Sequence, residues 1–237
     1  MSHHIPRIFR PAAPVDCATC PAQHIDLFAG VDRAQRAELL ASFHISAFEP
    51  KEVIYNMGHL GEFIYIVRFG LIKLVRYSSS GVERIVGLAR TGDNIGMASL
   101  VSVPYRRTAV AMSRSEVCRV PAALVRDYNR GHPEFVARLL EKYQATIDLA
   151  DTFLTDLSTG AAHARVARLL LFLAEKSDHN ESPMLTRDEM GALLGLTTET
   201  TSRVIAEFRR AGLIQVLDEH HDRCRCDVAA LAKIAAG

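Results

Sequence analysis

The sequence predicts an α+β fold in which a region of short strands is followed by a long helix and then by a helix-turn-helix. Residues 45–120 contain short apolar or alternating runs separated by glycine, a pattern typical of an antiparallel barrel or sandwich. Residues 135–157 carry an apolar stripe with a spacing of about 3.5 residues, which indicates one long helix. Residues 185–216 contain two short helical patterns separated by a turn with glycine, and such a pair forms a helix-turn-helix.

The composition sets the class of protein. The chain has 237 residues, a net charge of +1 and an apolar fraction of 49%, so one or two domains with a full core are expected. No apolar run approaches the ~20 residues that cross a bilayer, and no signal peptide is visible. We therefore expect a cytoplasmic protein whose five cysteines stay reduced. Neither a phosphate loop nor a nucleophile–base pair is visible, so no enzyme is expected.

The first element is an N-terminal arm over residues 1–30, because three prolines and no apolar period mark its first half. The arm contains Cys17-Ala-Thr-Cys20. Two thiolates separated by two residues can face one ion or cluster, so this pair predicts metal or redox chemistry. A short helix is expected over residues 33–42.

The strand region forms the body of the first predicted domain. Its predicted strands are 53–56, 62–68, 71–77, 83–89, 107–112 and 115–120. Repeated short strands with glycine between them favour antiparallel pairing.

The long helix is expected to start after Pro133 and to end near Leu157. Its apolar stripe consists of Phe135, Leu139, Tyr143, Ile147, Ala150, Leu154 and Leu157. A stripe of this period suits the seam of a coiled-coil dimer. Asp148 and Asp151 border the stripe, where they either oppose association through like charges or form a solvated edge.

The helix-turn-helix is marked by its caps. Thr186 is followed three residues later by Glu189, which predicts a capping box at the start of the first helix. Gly195 stands at the end of that helix, where the backbone commonly adopts the left-handed conformation. Thr197 caps the second helix, which stops at Gly212. The second helix of such a pair is the one that enters a DNA major groove.

The exposed face of the second helix is predicted to read bases. It carries Thr198, Glu199, Ser202 and Arg203. The Glu199 carboxylate can accept a hydrogen bond from cytosine N4, and the Arg203 guanidinium can donate two hydrogen bonds to guanine O6 and N7. The Ser202 hydroxyl can donate or accept a hydrogen bond with either base. The arginines expected to neutralise phosphates are Arg187, Arg203, Arg209, Arg210, Arg223 and Arg225. The partner predicted from these residues is double-stranded DNA.

These helices resemble those of the CRP/FNR transcription regulators, the family of the cyclic-AMP receptor protein and the fumarate–nitrate reductase regulator. The similarity rests on Thr186-Arg-Asp-Glu-Met-Gly191 and Leu194-Gly-Leu-Thr-Thr-Glu-Thr-Thr-Ser-Arg203, and extends more loosely over about residues 17–235. Glu199, Ser202 and Arg203 resemble the FNR-type base-reading trio, whereas the CRP branch usually has Arg where Thr198 stands. The resemblance implies an FNR-type half-site, TTGAT, and its inverted repeat.

The resemblance also implies an architecture. Its parts are the arm at 1–30, a β-roll sensor domain similar to the cyclic-nucleotide-binding fold at 31–132, a dimerisation helix at 133–158 and a winged helix-turn-helix at 159–237. The wing strands would be Leu213–Val216 and Cys224–Val228. The implied partners are DNA, a second copy of the chain and RNA polymerase.

One effector site that the resemblance implies lies in the β-roll. Gly96, Arg107 and Thr108 fit the pattern that cradles a cyclic-nucleotide phosphate, with the arginine supplying a charge-assisted contact. Met97 departs from that pattern, because a glutamate is wanted there to hold the ribose hydroxyl. The alternative is that Arg107 and Thr108 are structural residues at a strand end.

A second implied site is an iron–sulfur cluster. Cys118 stands in a Val-Cys-x-x-Pro setting that resembles the lone cluster cysteine of FNR proteins, and Cys17 and Cys20 fit the N-terminal set. Asp26 occupies the place of the remaining cysteine, so a [4Fe-4S] cluster would take Asp26 or His24 as its fourth ligand. Alternatively, Cys118 is a small buried hydrophobe, and the effector is haem, an organic ligand in the roll, or nothing.

Four further residues of metal-binding type lie near the wing: His220, His221, Cys224 and Cys226. Two cysteines separated by one residue on a strand point to one face, but no second cysteine pair completes a zinc site. A solvated wing tip is expected.

Overall fold

The computed structural model describes most of the chain. The described residues are 31, 42–77, 81, 83–101, 103–132, 134–175, 179–217 and 223–236. The predicted arm, and all but the last residue of the helix expected over 33–42, lie outside them. The chain divides into two compact units, Met1–Glu83 with Leu88–Thr146 and Arg84–Gly87 with Ile147–Gly237.

The strand region is antiparallel, as predicted. Its strands are β1 (His44–Phe48), β2 (Val53–Tyr55), β3 (Phe63–Phe69), β4 (Ile72–Tyr77), β5 (Glu83–Ala89), β6 (Asn94–Ile95), β7 (Thr108–Ala111) and β8 (Ser115–Pro121). They form two four-stranded sheets, ordered β1-β8-β3-β6 and β2-β7-β4-β5. Strands β1 and β6 were not predicted, and the two-residue β6 is too short to show a period of two.

The strands are followed by two helices, of which only the second was predicted from the sequence. Helix α1 (Ala122–Gly131) was not predicted, although Pro121 stands at its N-cap. The long helix was predicted, and it consists of α2 (Glu134–Thr152) continued by a π-helical turn, Phe153–Leu157. The first unit buries a core formed by Phe43, Ile64, Ile66, Met97, Cys118, Val120, Val125 and Phe135.

This core corrects one part of the predicted dimer seam. Phe135 is 2% exposed and belongs to the core of its own unit, and Leu157 is 1% exposed. Neither side chain is available to a partner helix. The apolar stripe along α2 thus serves two purposes, because some of its residues pack within the chain while others face outward.

The second unit contains a helix-turn-helix and a small sheet. Its helices after the π-helical turn are α3 (Ala162–Ala174), α4 (Arg187–Leu194), α5 (Thr198–Arg210) and α6 (Val228–Ala236). Strands β9 (Glu181–Pro183), β10 (Ile214–Val216) and β11 (Arg223–Cys226) form an antiparallel sheet ordered β10-β11-β9. Strand β9 and helix α6 were not predicted, and β9 has no alternating pattern to show it.

Helix α3 lies at the centre of the second unit. It packs against α4, α5, α6 and β9. Its buried side chains are Ala164, Val166, Ala167, Leu169, Leu170, Leu173 and Ala174. Because these residues cover most of its circumference, α3 is the scaffold on which the helix-turn-helix is held.

Candidate nucleic-acid interface

The first helix of the helix-turn-helix begins and ends as predicted. The Thr186 hydroxyl accepts from the Glu189 backbone N–H at 3.2 Å, and the Glu189 carboxylate accepts from the Thr186 N–H at 3.0 Å. This reciprocal pair is a capping box. At the other end Gly195 has φ +63°, the left-handed conformation that glycine adopts without steric cost.

The approach of the two helices depends on a residue that sequence reasoning missed. The backbone N–H of Leu196 donates to the Gly191 carbonyl at 3.0 Å. A Cβ atom at Gly191 would lie 2.8 Å from the Leu196 carbonyl oxygen, closer than real Cβ atoms come. The turn therefore fits only because residue 191 has no side chain.

Helix α5 presents the predicted base-reading residues to solvent. Its N-cap Thr197 accepts from the Thr200 N–H at 3.1 Å, and its buried face consists of Thr201, Val204, Ile205 and Phe208. On the opposite side Glu199, Ser202 and Arg203 are all exposed. The helical period thus brings these three side chains to one accessible face.

Thr198 has an additional contact that the sequence did not reveal. Its side chain is exposed, and its hydroxyl donates to Asp188 Oδ1 at 2.6 Å. Asp188 lies in the first turn of α4, so this hydrogen bond ties the starts of the two helices together.

One turn beyond Arg203, Glu207 is held from outside its own helix. His163 Nε2 in α3 lies 2.6 Å from Glu207 Oε2, and because an ionised carboxylate only accepts, the imidazole donates. This hydrogen bond is the main cause that lowers the pKa of the Glu207 carboxyl, and nearby Arg203 contributes. No local pattern indicates the contact, because the two residues are far apart in the chain.

The predicted phosphate-binding arginines differ in their surroundings. Arg187 is half-buried and donates to Met184 Sδ at 3.6 Å. Burial lowers its pKa, and the like charge of Arg209 lowers it further. Arg223 and Arg225 lie 3.3 and 3.5 Å from the carboxylate of Glu181.

The carboxylate of Glu181 partly offsets the positive charges of Arg223 and Arg225. Arg203, Arg209 and Arg210 are exposed on α5. Helix α5 thus presents the positive charges of Arg209 and Arg210 to solvent beyond the predicted base-reading face.

Two family models match the chain, and one of them covers this arrangement of caps, turn and exposed face. Residues 164–234 match the Crp-like helix-turn-helix domain, and residues 45–129 match the cyclic nucleotide-binding domain. The chain belongs to the CRP/FNR family. It is accordingly a DNA-binding transcription regulator.

The relatives of this CRP/FNR protein that follow match 92% and 70% of the chain. The transcriptional activator protein FnrL of Cereibacter sphaeroides is 26% identical over 229 residues, which are 92% of this chain and 90% of that protein. The fumarate and nitrate reduction regulatory protein of Salmonella typhi is 26% identical over 171 residues, or 70% of this chain and 68% of its own length. These relatives are transcription regulators rather than enzymes.

Solved structures share the fold. A CRP-family transcriptional regulator from Thermus thermophilus matches with a TM-score of 0.65 and 27% identity, over 81% of this chain and 97% of that one. FixK2 from Bradyrhizobium japonicum matches over the same shares with a TM-score of 0.72 and 21% identity. The predicted fold class is thus confirmed. None of the helices in the described residues is long and apolar enough to cross a membrane.

Two residues of the predicted effector pocket in the β-roll have structural roles. The Thr108 hydroxyl accepts from the Met57 backbone N–H at 3.0 Å. Gly96 has φ +77°, a conformation that residues with side chains rarely adopt, and a Cβ atom there would lie 3.0 Å from the Phe63 carbonyl oxygen. Arg107 is half-buried, and Met97, the residue predicted to depart from the nucleotide-binding pattern, is buried.

Tyrosines fill the space beside Gly96. Tyr55 stacks on Tyr105 with ring centroids 4.1 Å apart and on Tyr65 at 5.3 Å. Burial raises the pKa of all three hydroxyls. The Tyr105 hydroxyl donates to the Phe63 carbonyl at 2.8 Å. This packed aromatic group lies directly against Gly96 of the predicted effector pocket.

The predicted cluster ligands lie partly outside the described residues. Cys118 is buried in β8, where it pairs in register with Ile45 and Ile66. Cys17, Cys20, Asp26 and His24 are outside the described part of the chain. Val31 is described, and it packs against the same core cluster as Cys118.

The wing cysteines face each other inside the second unit. Cys224 Sγ and Cys226 Sγ are 3.9 Å apart and both side chains are buried. Their mutual hydrogen bond, followed by burial, raises the pKa of the Cys224 thiol. Among the described residues no group of three or more metal-ligating side chains is present, and His220 and His221 lie outside that set.

Proposed function

We propose that this CRP/FNR regulator binds, as a homodimer, an inverted repeat of TTGAT-type half-sites. The observation that carries the proposal is the exposed face of α5, on which Glu199, Ser202 and Arg203 lie side by side. A carboxylate, a hydroxyl and a guanidinium on one face match the donor and acceptor pattern of cytosine and guanine edges in a major groove. Bound at a promoter, the dimer would act through RNA polymerase.

A second stripe on the long helix supports dimerisation. Val136, Leu140, Ile147 and Leu154 are 41%, 62%, 53% and 69% exposed. Their spacing follows the a and d positions of a heptad, which is the pattern of a helix–helix seam. The proposed seam is therefore shifted from the one predicted. Phe135, Leu139 and Tyr143 pack against the core of their own unit and Leu157 is buried, whereas Val136 and Leu140 face outward.

An oxygen-labile iron–sulfur cluster is the effector that we propose. Cys17, Cys20 and Cys118 would be thiolate ligands, with Asp26 or His24 as the fourth ligand. The packing of Val31 against the core cluster that contains Cys118 supports their convergence. Val31 follows Cys20 closely in the chain, and an extended segment of about eleven residues reaches up to ~36 Å.

Arg203→Ala tests the DNA site. Loss of a bidentate guanine contact should weaken binding to the TTGAT repeat by roughly 1–3 kcal/mol and relax selectivity at one base pair. Binding to unrelated DNA at low salt should change little. Fluorescence anisotropy with both DNAs measures the two affinities, and a randomised-site selection measures the preference.

The matched control for this test is Arg210→Ala. Arg210 is exposed at the end of the same helix and is predicted to contact phosphate, so its loss should weaken both kinds of binding together. If Arg203→Ala also weakened both equally, Arg203 would be a phosphate contact and the base-reading assignment would be wrong.

A further inference from the structure

Arg168 on helix α3 joins three separate segments of the second unit. Its Nε atom donates to the Ala235 carbonyl at 2.8 Å. Its Nη1 atom donates to the carbonyls of Asp156 at 2.9 Å and Thr159 at 3.0 Å. One guanidinium thus contacts the end of the long helix, the segment that leads to α3, and helix α6.

Two of the three acceptors lie where a helix leaves carbonyls without partners, and the third follows such an end. Asp156 belongs to the π-helical turn that ends the long helix, Thr159 follows that turn, and Ala235 is in the last turn of α6. The last four carbonyls of a helix have no intrahelical donor. A cationic side chain at such an end satisfies them and also complements the negative end of the helix dipole. Arg168 therefore caps two helices at once.

The surroundings make this polar contact important for the geometry of the joint. A cleft of about 550 Å³ opens beside Arg168, with Leu157, Phe172 and Val228 among its lining residues. Packing also holds these elements together, since the rings of Phe153 and Phe172 meet edge-on with their centroids 5.9 Å apart and Leu157 is buried. The hydrogen bonds of Arg168 lie at the edge of the cleft and add a directional constraint to that packing.

Helix α3 passes this constraint on to the DNA-reading helix. Arg168 is carried by α3, and α3 packs directly against α5, whose exposed face holds Glu199 and Arg203. Arg168 and helix α3 thus couple the orientation of this end of the long helix to the orientation of α5.

We propose that Arg168 is a positioning residue that sets which half-site spacing the homodimer accepts. This inference rests on the proposed function, because it requires a dimer that uses the long helix and reads an inverted repeat. Each protomer of such a dimer places one α5 in a major groove, and the two grooves are about one helical turn apart. A loosened joint allows α5 to swing, so that half-sites at other spacings are also reached.

The experiment compares DNAs that differ only in spacing. The probes are the inverted TTGAT repeat, the same repeat with one base pair added or removed between half-sites, and a single half-site. One base pair shifts a half-site by about 3.4 Å and about 35°. Wild-type protein should bind one spacing best, and it should bind that repeat roughly 10²–10⁴-fold more tightly than the half-site.

Arg168→Ala and Arg168→Gln should flatten this spacing preference while half-site binding stays at the wild-type level. Arg168→Lys should behave similarly, because a single ammonium cannot fork between the two helix ends. Lys233→Gln is the matched control: it removes the same charge from an exposed position on α6 and should preserve the preference. Sedimentation should show a dimer for every variant.

The possible outcomes separate the two proposals. A wild-type protein that is monomeric, or that has no spacing preference, would overturn the proposed function whatever the variants do. A wild-type preference that Arg168→Ala retains would overturn the role of Arg168 alone. Equal losses on every probe, half-site included, would make Arg168 a general stabilising residue and would also overturn the inference.

Discussion

At the scale of single residues, the helix-turn-helix depends on the absence of a side chain as much as on the groups that read DNA. Gly191 lies in the middle of α4, where glycine is ordinarily a poor helix former. Its value comes from the turn, whose Leu196 carbonyl passes 2.8 Å from the place of a Cβ atom. The sequence alone shows that this glycine lowers the stability of the helix. It does not show the close approach of the Leu196 carbonyl, which leaves no room for a side chain.

Gly191→Ala is therefore expected to destabilise the second unit, although alanine is the better helix former. The added methyl group has to displace backbone rather than a flexible side chain, and overpacking of this kind costs roughly 1–3 kcal/mol. Differential scanning calorimetry should show a transition lowered by several degrees. Gly131→Ala is the control, because open space surrounds that position. Equal melting temperatures for the Gly191 variant and the wild type would show that the turn can relax.

At the scale of elements, the long helix has two apolar faces that its sequence period does not separate. Phe135 and Leu157 pack inside their own chain, whereas Leu140, Ile147 and Leu154 face outward. Burying one such leucine or isoleucine side chain contributes about 1.5–3 kcal/mol. Several of them in each of two helices, repeated across a two-fold axis, are enough to favour association.

Ile147→Asp should convert the dimer into monomers. The substitution places an unpaired carboxylate at the centre of the seam in both copies, and burying such a charge is costly. Monomers should lose the tight binding to the inverted repeat, because a single half-site provides only one set of contacts. Analytical ultracentrifugation and anisotropy measure both effects. Ala145→Asp adds the same charge on the opposite face of the helix and should leave the dimer intact; dissociation of both variants alike would move the interface elsewhere.

At the scale of the whole molecule, sensing and DNA binding are assigned to different units of the chain. The candidate cluster ligand Cys118 lies in the first unit, and helix α5, which is predicted to read bases, lies in the second. An effector in the first unit can regulate DNA binding only if it biases an equilibrium that involves the second. The long helix is the element through which we expect that coupling, since its residues belong to both units.

Cys118→Ala decides whether the first unit holds a cluster. If it does, protein purified without oxygen should lose its bound iron, the broad absorption of the cluster and its response to oxygen together. Cys224→Ala is the matched control, because Cys224 is also a buried thiol and should keep all three.

The alternative for Cys118 gives a different result. As a small buried hydrophobe, its loss would cost at most about 1–2 kcal/mol of stability and leave regulation unchanged. If the wild-type protein binds no iron after anaerobic reconstitution, the cluster proposal is wrong. A sharp Soret band would indicate bound haem instead.

Features that depend on neighbours in the chain could be predicted from the sequence. The capping box of Thr186 and Glu189, the left-handed Gly195 and the exposed trio on α5 all arise within a few residues of one another. Local rules of capping, glycine conformation and helical period are sufficient to place them. For the same reason the antiparallel strands and the long helix could be predicted, and with them the family resemblance.

Which of these surfaces are available, and how they are held, depends on the tertiary structure. The fold places Phe135 in a core and leaves Ile147 exposed, although the two occupy the same apolar stripe. It also brings His163 to Glu207, and Arg168 to the ends of two helices. Those contacts join residues about 10 to 70 positions apart, and the acceptors of Arg168 are all backbone carbonyls. A backbone carbonyl is the same in every residue, so no sequence pattern can mark it as the partner; only the folded path of the chain brings it within reach.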